Sequence, residues 1–304
     1  MSKTARPVLV GVGEYGVSDA VLVHAIGIAR GAGVGVRLVH VVPKRRGMAA
    51  QPGLLIDDDA FELVAEELVH RAADSARQLG GENLSVEVFT EQGSAVQVLR
   101  SLAADASCVV LQRRRLSQLH RVFTGSVTTA LAGQAGVPVV SVPEFWAPWP
   151  TTPSLVTVGV QGTDLHRELL ERAFAAAAAE QACLRVLFAC YLPALYYDGH
   201  ADPGITEKWA SSMRPGVEHE VEAVAKGYPE VAVLVDVVAQ RPVDALVEAT
   251  RTSHLLIIGR PGLSHRIPRL GSVSRAVLRE ALCPVELLPL PPREEASPSD
   301  EGEA

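Results

Sequence analysis

The feature that most constrains the fold of this 304-residue chain is an internal repeat. The run VTVGV at 156–160 matches VLVGV at 8–12, and Gly271-Ser272-Val273 matches Gly125-Ser126-Val127. Matching positions lie 146 to 148 residues apart along the whole chain. Chance apolar runs would not preserve both order and spacing over that length. The sequence therefore predicts a tandem duplication.

Within each copy, short apolar runs alternate with amphipathic segments. In the first copy the predicted strands cover 8–12, 36–42, 84–89, 108–111 and 138–142, and predicted helices cover 18–32, 57–79 and 94–104. Strands that alternate with helices pair in parallel, because each crossover needs a helix to return the chain. We predict an α/β fold of two tandem Rossmann-like domains, each a five-stranded parallel sheet flanked by helices. The domains cover 7–145 and 153–290.

Two further segments differ from these domains in composition. The connector 144–153 holds three prolines and both Trp146 and Trp149, so it is stiff, and we expect the tryptophans to pin the two domains together. The tail 291–304 is acidic, has no apolar face and is predicted to be disordered.

Composition excludes several classes of function. The formal net charge of −7 argues against nucleic acid as the main partner, and no apolar run approaches the roughly 18 residues of a membrane helix. The first residues lack the apolar stretch of a signal peptide, so a cytoplasmic protein is expected. The four cysteines form no CxxC pair and the nine histidines no metal-binding spacing, so we expect reduced thiols and no metal site.

The most informative segment follows the fourth predicted strand of the second copy. Gly259 and Gly262 would let a ligand approach the backbone closely, and Gly271-Ser272 precedes a helix that begins near Val273. The free N–H groups of a helix start favour a phosphate group, and the Ser272 hydroxyl adds a donor. The same residues also suit an ordinary helix start, and we favour the nucleotide site because of the two additional glycines.

These residues resemble a motif of the universal stress protein family, Gly-x2-Gly-x9-Gly-[Ser/Thr]. Cys283-Pro284-Val285 is also similar to the Cys-Pro-Val of the family's fifth strand. The resemblance implies binding of ATP or AMP, with Mg²⁺ accompanying ATP, usually without well-defined catalysis. It also implies intramolecular pairing of the two domains, and it allows a homodimer.

The second copy departs from the family pattern at two places. Eight residues rather than nine separate Gly262 from Gly271, and Gln161 stands where binding members carry an aspartate. The glutamine can still hydrogen-bond a ribose or a base, although it accepts more weakly than a carboxylate. The predicted nucleotide site comprises Gln161, Thr163, Ile258, Gly259, Gly262, Gly271, Ser272 and Val273.

The first copy departs further. Gln112 and Arg115 replace its two leading glycines, and Gly13-Glu14 stands at the aspartate position. We predict a degenerate site there, whose remnants are Gly13, Gly125 and Ser126. The side chain of Gln112 or Arg115 is expected to crowd the path of the phosphates. Residues 113–115 are expected to occupy the space where the phosphates would lie. A short charge run such as 113–115 is otherwise a solvated loop.

These observations favour a non-enzymatic stress-response protein that binds an adenine nucleotide in the second domain. The alternative is a scaffold or regulatory partner that has lost nucleotide binding. A slow ATPase is disfavoured because no base accompanies Ser272. The arginines near Arg260 suit an anion site or an ordinary solvated loop. The aromatic segment 191–203 suits either the lining of a pocket or the cover of a sheet edge or partner surface. Trp209 is expected to pack a helix on the sheet.

Overall fold

The computed structural model describes residues 6–44, 58–114, 127–147, 154–162, 165–191, 203–261 and 270–291. The first half contains five strands and four helices in alternation. They are β1 (Val8–Val12), α1 (Asp19–Ala32), β2 (Val36–Val42), α2 (Asp58–Gly80), β3 (Val86–Gln92), α3 (Ala95–Ala103), β4 (Cys108–Arg113), α4 (Val127–Ala132) and β5 (Val139–Pro143).

The second half repeats this order. Its elements are β6 (Leu155–Val160), α5 (Arg167–Ala179), β7 (Cys183–Ala189), α6 (Pro203–Ala225), β8 (Val233–Val238), α7 (Pro242–Ala249), β9 (Leu255–Pro261), α8 (Ser272–Glu280) and β10 (Val285–Leu290). The central strands of both halves are almost wholly apolar, as parallel strands covered by helices on both faces must be.

The predicted α/β class with two five-stranded parallel sheets is confirmed. The two sheets are also continuous with each other. All described strands form one sheet in the order β3-β2-β1-β4-β5-β10-β9-β6-β7-β8. The two halves are therefore joined edge to edge.

The junction is an antiparallel pair between β5 and β10, the two fifth strands. Ser141 pairs with Val285, Val140 with Glu286, and Val139 with Leu287. Val140 and Glu286 are also corresponding residues of the repeat, so the pseudo-twofold axis that relates the halves passes between them. The exposed edges of the sheet are then β3 and β8.

The buried side chains form three apolar clusters. One lies under α1 and α2 in the first half, and one lies under α5 and α6 in the second. The third is shared, since Leu131, Leu99 and Val139 of the first half pack in one cluster with Leu256, Leu278 and Leu287 of the second. The halves therefore bury part of their apolar surface against each other.

Trp146, in the connector after β5, contacts both halves as predicted. Its ring meets His24 of α1 edge-on at 5.6 Å and His254, just before β9, at 6.3 Å between ring centroids. It also packs against the shared cluster and the cluster of the first half. Trp149 lies outside the described residues.

Element ends differ from the prediction by a few residues, most at β3. The apolar alternation predicted a strand at 84–89, whereas β3 runs to Gln92 because Thr90, Glu91 and Gln92 pair with His40, Val41 and Val42 of β2. The polar end of this edge strand has no apolar alternation from which a strand could be predicted. The described thiols are free, and Cys108, Cys190 and Cys283 are buried, as expected. Within the described residues, no helix combines the length and apolarity needed to cross a bilayer.

Candidate functional site

A cavity of about 780 Å³ opens at the carboxyl ends of β6, β7 and β9 in the second half. This is the edge at which parallel α/β sheets bind ligands. Its wall is formed by strand ends, by the start of α5, by one face of α6 and by the first turns of α7 and α8. The lining residues are Gly159, Val160, Gln161, Gly162, Leu165, His166, Leu169, Leu187, Phe188, Ala189, Cys190, Tyr191, Trp209, Met213, Pro242, Leu246, Ile258, Gly259, Arg260, Pro261, Val273, Ser274, Leu290 and Pro291.

The lining is mainly apolar, with aromatic side chains on one side. Phe188 and Tyr191 lie at the end of β7, and Trp209 projects from α6. Side-chain polar groups among the lining residues are those of Gln161, His166, Cys190, Tyr191, Trp209, Arg260 and Ser274. None of the described lining residues is an aspartate or glutamate. Apolar walls with a few polar groups are typical of small-molecule sites.

Two glycines of the lining, Gly159 and Gly259, leave space for neighbouring side chains. A Cβ on Gly259 would overlap Cδ1 of Leu290, and a Cβ on Gly159 would lie 2.6 Å from Cδ2 of Leu246. Gly162 has a φ of +76°, a conformation that favours glycine in the turn after β6. Gly259 is thus required by packing against β10, a role that its motif position did not suggest.

Four of the predicted site residues line this cavity: Gln161, Ile258, Gly259 and Val273. Gly271 and Ser272 do not line it. They are exposed at the start of α8, and the next buried residue of that helix, Ser274, reaches the cavity instead. Thr163 and Gly262 lie outside the described residues.

Most of the lining was not predicted from sequence. No sequence motif indicated that apolar side chains of β7 and α6 line a cavity, and Leu187 belongs to the core as well as to the cavity. Trp209 packs on the core, as expected, and also faces the cavity. Of the aromatic segment 191–203, Tyr191 lines the cavity and 192–202 lie outside the described residues.

The same position in the first half is crossed by a side chain. Gln112, which corresponds to Gly259, extends from the end of β4, and its Oε1 accepts a hydrogen bond from the backbone N–H of Ser18 at 2.8 Å. The amide thereby bridges the gap between β4 and the start of α1. Gly13 lies in a tight turn that pairs with Gly16. Gly125, Ser126 and Arg115 lie outside the described residues.

Arg113 and Arg114 contact other parts of the protein, and with Arg115 outside the described residues, the closure of the phosphate path by residues 113–115 stays a prediction. Arg114 lies over the ring of Tyr15, 4.6 Å from its centroid, and 4.0 Å from Glu144. Arg113 reaches into the second half, where its guanidinium donates to the carbonyl oxygens of Leu278 and Ala281 at the end of α8.

Arg260 makes the matching contact in the opposite direction. It ends β9 as Arg113 ends β4, and its Nη2 donates to the carbonyl oxygens of Ala135 and Val137, which follow α4 of the first half. Each half therefore inserts one arginine at the C-terminal end of the other half's fourth helix, where the helix dipole favours a cation. Arg260 is only 2% exposed, and burial lowers its pKa to about 10.

A second group of buried polar residues lies beside the axis, on the other face of the sheet. Glu286 of β10 is 1% exposed and accepts two hydrogen bonds from Arg172 of α5, each 2.7 Å long. His24, which corresponds to Arg172 in the repeat, is buried, and its Nε2 has no hydrogen-bond partner among the residues that the structure describes. Burial, together with the charge of Arg172 and of His254, lowers the pKa of His24 to about 4.

The family model for the universal stress protein family matches this chain twice, over residues 4–143 and 155–289. The chain belongs to the universal stress protein family. A universal stress protein of Mycobacterium tuberculosis is 26% identical, covering 95% of this chain and 96% of the relative. One from Mycolicibacterium smegmatis is 27% identical, covering 93% and 97%.

Solved structures share the fold of this universal stress protein. A universal stress protein from Archaeoglobus fulgidus superposes with a TM-score of 0.67 at 20% identity, covering 94% of this chain and 97% of that one. The cytoplasmic domain of a prokaryotic cation chloride cotransporter superposes with a TM-score of 0.50 at 12% identity, covering 93% and 95%. At these identities the likeness concerns the fold alone. Among the described residues, no cluster of His, Cys, Asp or Glu suits a metal ion.

Proposed function

We propose that this chain is a non-enzymatic stress-response protein that binds an adenine nucleotide, ATP or AMP, in the cavity of its second half. The observation that carries the proposal is the contrast between the two copies. The strand ends of the second half open onto a cavity of about 780 Å³, whereas Gln112 bridges the corresponding gap in the first. We therefore expect one nucleotide per chain.

The lining suits a flat, partly polar ligand. Phe188, Tyr191 and Trp209 offer aromatic surfaces for a base, and the Gln161 amide can donate to and accept from a base edge or a ribose hydroxyl. Gly259 of β9 and Val273 of α8 both line the cavity. Val273 follows Ser272 in the first turn of α8, where the free N–H groups of a helix start favour a phosphate.

The test is isothermal titration of the full chain with ATP and with AMP. Ala189→Phe adds a phenyl ring to the cavity wall and should weaken binding at least about tenfold, which corresponds to about 1.4 kcal/mol. Gln112→Ala, at the bridged position of the first half, is the matched control and should leave the affinity unchanged. Absence of binding to the unmodified chain, or equal weakening by both variants, would contradict the proposal.

The second candidate is a regulatory partner that binds no nucleotide. Gln161 in place of the family's aspartate favours it, because an amide holds ribose hydroxyls less firmly than a carboxylate. This candidate predicts no heat with ATP or AMP, and a stoichiometric partner protein whose capture from a lysate is unaffected by added nucleotide. Loss of that partner on addition of AMP would exclude it.

A further inference from the structure

Arg260 is a buried cation to which the described residues offer no carboxylate partner. It is 2% exposed, and within the described part of the chain its hydrogen bonds go to the backbone carbonyl oxygens of Ala135, Val137 and its neighbour Pro261. Its Nε is buried and donates to no described atom. The contrast with Arg172 is clear, since that arginine forms a bidentate ion pair with Glu286.

The position of this charge relates it to the cavity. Arg260 is one of the lining residues, and no carboxylate of a described lining residue offsets it. Burial lowers its pKa to about 10, which shows that the surroundings do not fully replace its hydration. A charge at the wall of a mainly apolar cavity acts over several ångströms, because the low local dielectric screens it weakly.

We propose that the cavity of the second half selects an anionic ligand, and that the guanidinium of Arg260 is the countercharge that makes this selection. The inference rests on the proposed function, and it specifies that function: the preferred nucleotide carries a phosphate, and the neutral nucleoside binds weakly. Because the same guanidinium holds Ala135 and Val137 of the first half, an anion in the cavity would also strengthen the contact between the two halves.

Arg113 supplies a matched control within the same molecule. It occupies the corresponding place at the end of β4 and also donates to carbonyl oxygens of the opposite half, but it does not line the cavity. Loss of the charge at either arginine weakens the contact between the halves. Only the loss at Arg260 should change which ligand is bound.

The experiment measures the affinity of the full chain for AMP and for adenosine by isothermal titration. The unmodified chain should bind AMP at least about tenfold more tightly than adenosine. Arg260→Gln should reduce this preference to about twofold or less, Arg260→Lys should keep most of it, and Arg113→Gln should leave it unchanged. Equal affinity of the unmodified chain for AMP and adenosine overturns the proposal, and so does an equal effect of Arg260→Gln and Arg113→Gln on the preference.

Pyrophosphate separates this proposal from the proposed nucleotide function. The unmodified chain and Arg113→Gln should gain thermal stability in millimolar pyrophosphate at constant ionic strength, whereas Arg260→Gln should gain none. If adenosine and AMP both fail to bind but this pattern appears, the nucleotide function is wrong and the anion site stands. If pyrophosphate stabilises all three proteins equally, or none of them, the anion site is overturned.

Discussion

At the scale of single residues, corresponding positions of the two copies have taken different roles. Gln112 hydrogen-bonds to the start of α1, whereas Gly259 at the corresponding place packs against Leu290. His24 is a neutral side chain where Arg172 carries a charge. Each exchange changes one local property, either space or charge, while the backbone around it keeps the same fold. The chemistry of the copies therefore diverges at a few side chains.

His24 should make the protein sensitive to acid. Its pKa is about 4 in the folded protein and near 6.5 in the unfolded chain, so the unfolded chain binds the proton more tightly. The stability that depends on neutral His24 is complete above about pH 6.5 and is lost as the pH falls toward 4. We expect this loss to be roughly 3 kcal/mol between about pH 7.5 and about pH 4.

Urea unfolding at these two pH values tests the prediction. His24→Phe keeps a ring beside Trp146 and should lose less stability on acidification than the unmodified chain, by about 2–3 kcal/mol. His70→Gln, which changes an exposed histidine of α2, should lose as much as the unmodified chain. An equal loss of unfolding free energy in all three proteins would show that His24 does not cause the acid sensitivity.

At the scale of elements, α5 and β10 are connected by the buried pair Arg172–Glu286. Glu286 is 1% exposed, whereas 31% of the Arg172 side chain remains accessible, so the two partners do not depend on each other equally. An unpaired arginine can turn partly toward water, but an unpaired Glu286 stays inside the sheet. The stability of the contact between α5 and β10 therefore depends more on Arg172 than on Glu286.

Three variants should rank accordingly in free energy of unfolding. Arg172→Leu should lower the free energy of unfolding by about 3–5 kcal/mol because it leaves the buried Glu286 carboxylate without its partner. Glu286→Val should lower it by less. The double variant should be close to the unmodified chain, since apolar replacement of a buried ion pair is often nearly neutral. Chemical denaturation of the four proteins measures this as a double-mutant cycle. Equal costs of the single variants, or additive costs, would refute the ranking.

Strands and helices were largely predictable because each buried strand is a short apolar run between turn residues. The cavity was less predictable. Motif spacing indicated Gln161, Gly259 and Val273, but Leu187 and Trp209 have the pattern of core residues and gave no separate signal. The contacts of Arg113 and Arg260 could not be predicted, because they depend on how the two halves pair, and no local pattern encodes that.

At the scale of the whole molecule, the two halves form one continuous sheet with a shared apolar cluster. The β5–β10 pair, the two arginine contacts and Trp146 all connect the halves. Separation of the halves would expose both fifth strands and the apolar side chains behind them. Each separated half would therefore need a new partner for that edge.

The residues at the axis predict how the separated halves would associate. Two copies of the first half, 6–147, would place Val140 opposite Val140, whereas two copies of the second, 154–291, would place Glu286 opposite Glu286. Like charges directly opposite each other destabilise a strand pair. Sedimentation velocity should show self-association of the first half, weaker self-association of the second, and a one-to-one complex when they are mixed. Glu286→Val should restore self-association of the second half; equally strong self-association of both unmodified halves would contradict this.

The pairing of Val140 with Glu286 could not occur at the twofold axis of a dimer of identical chains. In a dimer of identical chains, any residue at the axis meets its own copy, so the two sides cannot be adjusted separately. A single chain that carries both copies is free of this restriction: one side can keep an apolar residue while the other holds a charge. A covalently linked pair can therefore place Val140 on one side of the axis and Glu286 on the other, which a dimer of identical chains cannot do.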